Sequence, residues 1–157
     1  MAEPRTFEQR KADALTQLEA SSADAWVASA FPDGRAHMVP LSIGWCDGRI
    51  VLVIESRSVT AKNLVASKRA RLGMGGTRDV VMIVAELVGN HELASAPPEL
   101  VSAFASQSGW DPTDSPDADA YRLLELRPLR IQAWREANEL TGRTLMRNGD
   151  WGPADAT

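Results

Sequence analysis

The chain has 157 residues, of which 44% are hydrophobic and 24% charged, and this balance suits one globular domain covering 1–157. Its net charge of −4 gives no sign of a general nucleic-acid or membrane partner, and its single cysteine, Cys46, excludes an internal disulfide and a cysteine-based zinc cluster. The N-terminal residues form no apolar signal core, and the longest apolar stretch, 80–88, is too short to span a bilayer, so we expect a cytoplasmic protein.

Hydrophobic spacing and turn signals predict short strands interspersed with three helices. Two Asp-Gly pairs, at 33–34 and 47–48, are typical of hairpin turns, and the run 50–54 is apolar throughout, which predicts a strand buried on both faces. The acidic segment 109–119 is expected to be a solvated loop, and 136–157 a mostly irregular tail at an interface. The predicted elements are a helix over 6–20, strands over 25–31, 37–45 and 50–54, a helix over 58–67, strands over 69–74 and 80–93, a helix over 96–108, and one bent strand or two over 121–126 and 129–134.

The hairpins determine the expected fold class. The first three strands are joined by turns that are too short for the crossover connections of a parallel sheet, so we expect an antiparallel sheet. About six strands in this order suit a small closed β-barrel in a mainly β protein, and a β-sandwich is the alternative.

A run of basic residues without any acid, from 57 to 78, is the sharpest local feature. It contains the junction between a strand and a helix, and a helix N-terminus favours an anion because its N–H groups are free and its dipole is positive there. Ser58 and Thr60 add hydroxyl donors, and Lys62 adds a charge one turn from Ser58. The pattern indicates a phosphate site, and a capped surface helix with a solvated basic face is the alternative. The basic residues of the run are Arg57, Lys62, Lys68, Arg69, Arg71 and Arg78.

The C-terminal segment is a second candidate. Trp134 and Trp151 could form walls around a planar ligand, and Arg143 and Arg147 could reach an anion. Packing in the core or at a dimer interface is the alternative for both tryptophans, and for Trp134 we favour it. Elsewhere, His37 and His91 lack a paired spacing, no carboxylate pair is evident, and the sequence assigns no catalytic residue and no metal site.

At these segments the sequence resembles the FMN-binding split-barrel superfamily, which includes the pyridoxamine 5′-phosphate oxidases. It is most similar to the flavin/deazaflavin (F420) oxidoreductases of actinobacteria. The resemblance lies in the opening strands at 25–56, in the segment SVTAKNLVASKRARLGM at 58–74, and in the segment rich in Trp and Arg at 127–151. It implies a six-stranded antiparallel split β-barrel, and a homodimer whose interface contains two equivalent cofactor sites.

The resemblance also implies which residues hold the cofactor, F420 or FMN. One group lines the phosphate end, a second lies beside the ring, and a third approaches from the partner chain or closes the mouth of the site. Arg78, the last residue of the basic run, is a further cofactor-binding candidate. The three groups are Ser56, Ser58, Thr60, Lys62 and Asn63; His37, Met38, Val39 and Pro40; and Trp134, Arg143, Arg147 and Trp151.

Three functions are compatible with this site. The first is an oxidoreductase that transfers hydride between F420 or FMN and a small organic substrate, with the redox chemistry supplied by the cofactor. The second is a protein that binds or carries the cofactor without turnover, because no acid–base pair is recognisable. The third is a haem-binding protein, whose axial ligand would be His37, His91, Cys46 or a methionine.

Overall fold

The computed structural model describes residues 2–153, which form three α-helices and a nine-stranded antiparallel sheet. The predicted mainly β architecture is confirmed. None of the helices in the described residues is long and apolar enough to cross a membrane. The helices are α1 (Phe7–Glu19), α2 (Val59–Ser67) and α3 (Pro98–Ser108), and the strands are β1 (Asp24–Ala30), β2 (Ala36–Ser42), β3 (Gly44–Cys46), β4 (Arg49–Glu55), β5 (Arg69–Gly76), β6 (Asp79–Glu92), β7 (Tyr121–Trp134), β8 (Thr144–Arg147) and β9 (Asp150–Trp151).

The sheet curls into a barrel. Its strand order is β2-β1-β5-β6-β7-β4-β3, so β2 and β3 stand at opposite ends of the path. Yet only Ile43 separates these two strands in the chain, and its side chain is fully buried. The two ends of the sheet therefore meet at Ile43, and the sheet surrounds a core.

The barrel is open on one side. β3 pairs with β4, with Gly44 opposite Val51, whereas β2 pairs only with β1 among the described strands. The edge of β2 and the later half of β4 thus flank an opening in the sheet. Helix α2 follows β4 and packs against β1 and β2, so its N-terminal end lies beside this opening.

The strand count corrects the prediction of six. One extra strand arises because the segment 37–45 is divided at Ile43, where the chain passes from one end of the sheet to the other. Two more, β8 and β9, arise in the tail, most of which is irregular as predicted: β8 pairs with β7, and Leu145 and Met146 of β8 are buried. The last part of the predicted tail, 154–157, lies outside the described residues.

Strand β4 is buried on both faces, as its unbroken apolar run predicts. Ile50, Leu52 and Ile54 point into the barrel core, and Val51 and Val53 join a second cluster under α3. This double burial fixes the end of β4, and with it the start of the segment that leads into α2.

Strand β7 is one continuous strand of 14 residues, although Pro128 lies in its middle. Proline cannot donate a backbone hydrogen bond to a neighbouring strand, and it is tolerated in a sheet mainly at edges or bulges. Pro128 pairs with Ala85, where the register of β6 and β7 shifts. The sequence predicts one bent strand or two in this region. The bulge allows a single continuous strand.

Candidate functional site

The N-terminus of α2 is capped and carries no acid in its first turn. The Ser58 hydroxyl accepts a hydrogen bond from the backbone N–H of Ala61 at 3.1 Å. The Lys62 side chain is exposed, and no carboxylate oxygen among residues 2–153 lies within 4.0 Å of its ammonium group. This end of the helix therefore presents a positive charge that the rest of the described chain leaves without a partner.

Two polar residues of α2 point into the protein instead of toward solvent. Thr60 and Asn63 are each 3% exposed. The Asn63 side-chain amide donates to the Ser29 hydroxyl on β1 at 3.1 Å, and Ser29 is paired with His37 on β2. Asn63 thus fastens α2 to the strands beside the barrel opening, which fixes the direction of the helix N-terminus.

The predicted ring-binding segment of β2 alternates between two environments. His37 and Val39 are half-buried on the inner side, and Met38 and Pro40 are exposed on the outer side. The His37 ring packs edge-to-face on Phe31, with 5.9 Å between ring centroids. Because β2 is an edge strand, the backbone groups on its free side are available to a ligand in the opening.

An apolar groove of about 330 Å³ lies on the outer face of β1, β2, β5 and β6. Trp26 and Met38 form its rim and are 53% and 60% exposed. Gly73 forms part of its floor, where an added Cβ would lie 3.3 Å from the Met82 sulfur. A concave apolar surface of this kind suits a flat aromatic ring or a second protein surface.

No acidic residue occurs within the basic run in the sequence, but acidic residues of a distant segment lie beside its start in the structure. The backbone N–H of Ser56 donates to the carbonyl of Ala120 at 2.8 Å. This contact brings the acidic loop to the start of α2, where Ser56 and Arg57 line a cleft together with Asp117 and Asp119. Sequence reasoning missed this neighbour because the two segments are more than fifty residues apart.

Arg78 lies apart from α2, unlike Lys62 within this helix and Lys68 at its C-cap. Strand β5 begins next to the C-terminus of α2, and Arg78 comes after the opposite end of this strand. The Arg78 guanidinium pairs with the Glu136 carboxylate at 2.7 Å. The structure thus places Ser58 and Lys62 at one helix end, Ser56 just before it in the cleft with Asp117 and Asp119, and Arg78 elsewhere.

The C-terminal candidates divide in the same way. Trp134 pairs with Val80 of the groove lining, and the Arg143 guanidinium lies 5.3 Å from the centroid of its ring. Trp151 instead packs against the barrel core, with the Lys11 ammonium 5.2 Å from its ring. Within one chain the two tryptophans therefore have different surroundings, while Arg143 and Arg147 line one pocket.

The remaining single candidates have ordinary structural environments. His91 lies 3.4 Å from a Glu125 oxygen. Burial, together with the neighbouring carboxylates, raises the pKa of the Cys46 thiol, which keeps it protonated at neutral pH. No cluster of histidine, cysteine and carboxylate residues with metal-binding geometry occurs in the described part of the chain.

Solved structures share this fold at low sequence identity. An F420 reductase matches with a TM-score of 0.61 and 10% identity, over 74% of this chain and 94% of that one. A pyridoxamine 5′-phosphate oxidase-related, FMN-binding protein from Nostoc punctiforme matches with a TM-score of 0.63 and 17% identity, over 95% of both chains. A heme-binding protein from Mycobacterium smegmatis matches with a TM-score of 0.60 and 18% identity, over 92% of this chain and 59% of that one. By sequence, the chain matches no protein-family model and no curated protein.

These matches confirm the predicted resemblance at the level of the fold. The curled antiparallel sheet, open beside α2, is a split barrel, and proteins of this architecture include binders of flavin-type cofactors and of haem. A shared fold does not determine the ligand, which depends on the residues of the site.

Proposed function

We propose that the protein is a homodimeric oxidoreductase that binds F420 or FMN and transfers hydride between this cofactor and a small organic substrate. The observation that carries the proposal is the free positive charge of Lys62 at the N-terminus of α2, beside the opening of a split barrel. Hydroxyl groups and an ammonium at a helix N-terminus match the donors that a phosphate group requires.

In this proposal Ser56, Ser58 and Lys62 hold the phosphate end of the cofactor. Residues 37–40 of β2 lie beside the ring and offer backbone groups along their free edge. Thr60 and Asn63 act from inside the protein, since their side chains are buried and Asn63 anchors the helix. The bound cofactor supplies the hydride chemistry, and the chain's own residues bind it, orient it and exclude water.

The homodimer is supported by the exposure of the apolar groove. Soluble monomers rarely expose a contiguous apolar patch of this kind without a function for it. A second copy of the chain placed on this face would cover Trp26 and Met38 and enclose the ring-binding segment of β2. The contacts of Trp134, Arg143, Arg147 and Trp151 with the partner's cofactor remain a prediction.

Replacing Trp26 with glutamate should separate the dimer, because the substitution places a charge in the middle of the proposed interface. Light scattering should give twice the chain mass for the wild type and the mass of a single chain for Trp26→Glu. Val88→Glu is the matched control, since Val88 is also an exposed apolar strand residue but does not line the groove. A wild-type protein that is monomeric at the concentration at which it binds cofactor would refute the dimer.

The visible spectrum of the purified protein, followed by titration with FMN, F420 and haem, tests the assignment of the cofactor. We expect saturable binding of FMN or F420, followed by oxidation of the reduced cofactor when an acceptor substrate is added. Binding without turnover across a substrate panel would favour a carrier, and tight binding of haem alone would favour the haem-binding alternative.

A further inference from the structure

Seven of the fourteen arginines of the described chain have a carboxylate partner, and three of the seven that have none lie around one pocket. Among residues 2–153, no carboxylate oxygen lies within 4.0 Å of the guanidinium nitrogens of Arg130, Arg143 or Arg147. These three residues line one pocket of about 340 Å³, and no acid is among its lining residues. The arginines that are paired with carboxylates are Arg5, Arg35, Arg49, Arg78, Arg122, Arg127 and Arg135.

The backbone explains why the three arginines converge on this pocket, which we call the arginine pocket. Arg130 is exposed on β7, and β8 pairs with β7 at Gln132 and Thr144. A glycine at position 142, with φ +70°, turns the chain before β8. Arg143 comes directly before this short strand and Arg147 is its last residue, so both lie beside Arg130. The Gln132 amide donates to the Thr144 hydroxyl at 2.9 Å, which ties the two strands together at the pocket floor.

Three like charges held together without an acid are unfavourable for the folded protein alone. Departures of this kind from good electrostatic design are typical of functional sites, where a ligand supplies the missing charge. Guanidinium groups present paired donors that fit the two oxygens of a carboxylate or phosphate. The pocket therefore has the chemistry of an oxyanion site that is separate from the N-terminus of α2.

The arginine pocket adjoins the apolar groove. Gln132 of the pocket is paired with Met82 of the groove, and Trp134, which lies under Arg143, is paired with Val80. Neighbouring strands are about 4.8 Å apart, so a molecule only slightly longer than one aromatic ring can reach from the pocket into the groove.

We propose that the arginine pocket binds the carboxylate or phosphate group of a small organic anion whose apolar body extends into the groove at its Val80 and Met82 side, on β6, while the second copy of the chain covers the rim on β1 and β2. The inference rests on the proposed function in one respect, because it identifies this anion as the substrate that meets the cofactor ring. It assigns Arg143 and Arg147 to the substrate instead of the cofactor, and it adds Arg130, which the sequence did not single out.

Calorimetric titration of the full-length protein with 1-naphthoate, 1-naphthyl phosphate and the neutral 1-naphthamide tests this site without any cofactor. We expect at least one of the two anions to bind about tenfold or more tightly than the amide, with an affinity that falls as salt is added. Arg130→Gln and Arg143→Gln should remove this preference and leave the affinity for the amide unchanged. Arg69→Gln is the matched control, since Arg69 is exposed on β5 of the same sheet but does not line the pocket.

Equal affinity for the anions and the amide, or an anion preference that survives both arginine substitutions, would overturn the proposal. So would a loss of FMN or F420 affinity in Arg130→Gln and Arg143→Gln as large as the loss of anion affinity, because these residues would then hold the cofactor. If neither cofactor binds but the anion preference depends on the arginines, the oxidoreductase proposal fails and the anion site stands.

Discussion

Replacing Glu139 with glutamine is expected to lower the free energy of unfolding at neutral pH by about 3 kcal/mol. The Glu139 carboxylate accepts hydrogen bonds from the Arg5 guanidinium at 2.7 and 3.0 Å and from the backbone N–H groups of Arg5 and Arg135 at 2.9 and 2.8 Å. The Arg5 and Glu139 side chains are only 9% and 3% exposed. Glutamine would remove the one buried counter-charge of this guanidinium and leave it only the more exposed carboxylates of Asp13 and Asp79, at 2.8 and 3.4 Å.

The loss should depend on pH in a defined direction. Hydrogen bonds from Arg5, above all, lower the pKa of Glu139 from 4.5 to about 2. The ionised carboxylate therefore contributes its full stabilisation above pH 4.5 and loses it as the pH falls toward 2. The difference in stability between the wild type and Glu139→Gln should accordingly be constant near pH 7 and shrink between about pH 5 and 2.

Urea unfolding across this pH range measures both effects, and Glu136→Gln is the control. Glu136 lies three residues away and pairs with Arg78, but both side chains are largely exposed to solvent. A surface pair of this kind contributes about 1 kcal/mol or less. If the two substitutions cost the same, the contact between the N-terminal segment and the C-terminal tail does not stabilise the fold as described.

Replacing Lys62 with glutamine is expected to weaken FMN or F420 binding by at least about tenfold, because a charge-assisted contact with phosphate contributes about 1.5–3 kcal/mol. Lys68→Gln is the matched control: it removes the same charge from the C-terminal cap of the same helix, away from the barrel opening. Both lysines are exposed, so neither substitution should change the unfolding temperature. Fluorescence titration of the three proteins gives the affinities, and equal loss in both variants would indicate only a general electrostatic effect.

The sequence predicts most of the fold because its signals are local. The helix start at Ser58, the hairpin turns and the doubly buried β4 each follow from a few neighbouring residues. The division of 37–45 at Ile43 could not be predicted, because both halves keep the same apolar alternation and the division is caused by the closing of the barrel. The strands β8 and β9 are short, and their burial depends on β7 and the core.

The candidate site is predictable only in part for the same reason. The position of Ser58 and Lys62 at a helix N-terminus is a local property, and the structure shows both residues there. Whether an arginine is free is a tertiary property: Arg78 is paired with Glu136, whereas Arg130 lies in an ordinary alternating strand and has no such partner. The buried contact between Arg5 and Glu139 spans 134 residues of sequence and leaves no local signal.

The proposal that α2 holds the phosphate of a flavin-type cofactor is tested most directly by comparing FMN with riboflavin, which lacks the phosphate, on the wild type and on Lys62→Gln. For F420 the corresponding control is its deazaflavin chromophore without the phosphate-bearing arm. We expect the wild type to bind the phosphate-bearing form at least about tenfold more tightly, and Lys62→Gln to lose most of that preference. Equal affinity of the wild type for the two forms, or no binding of either FMN or F420, would contradict the proposal.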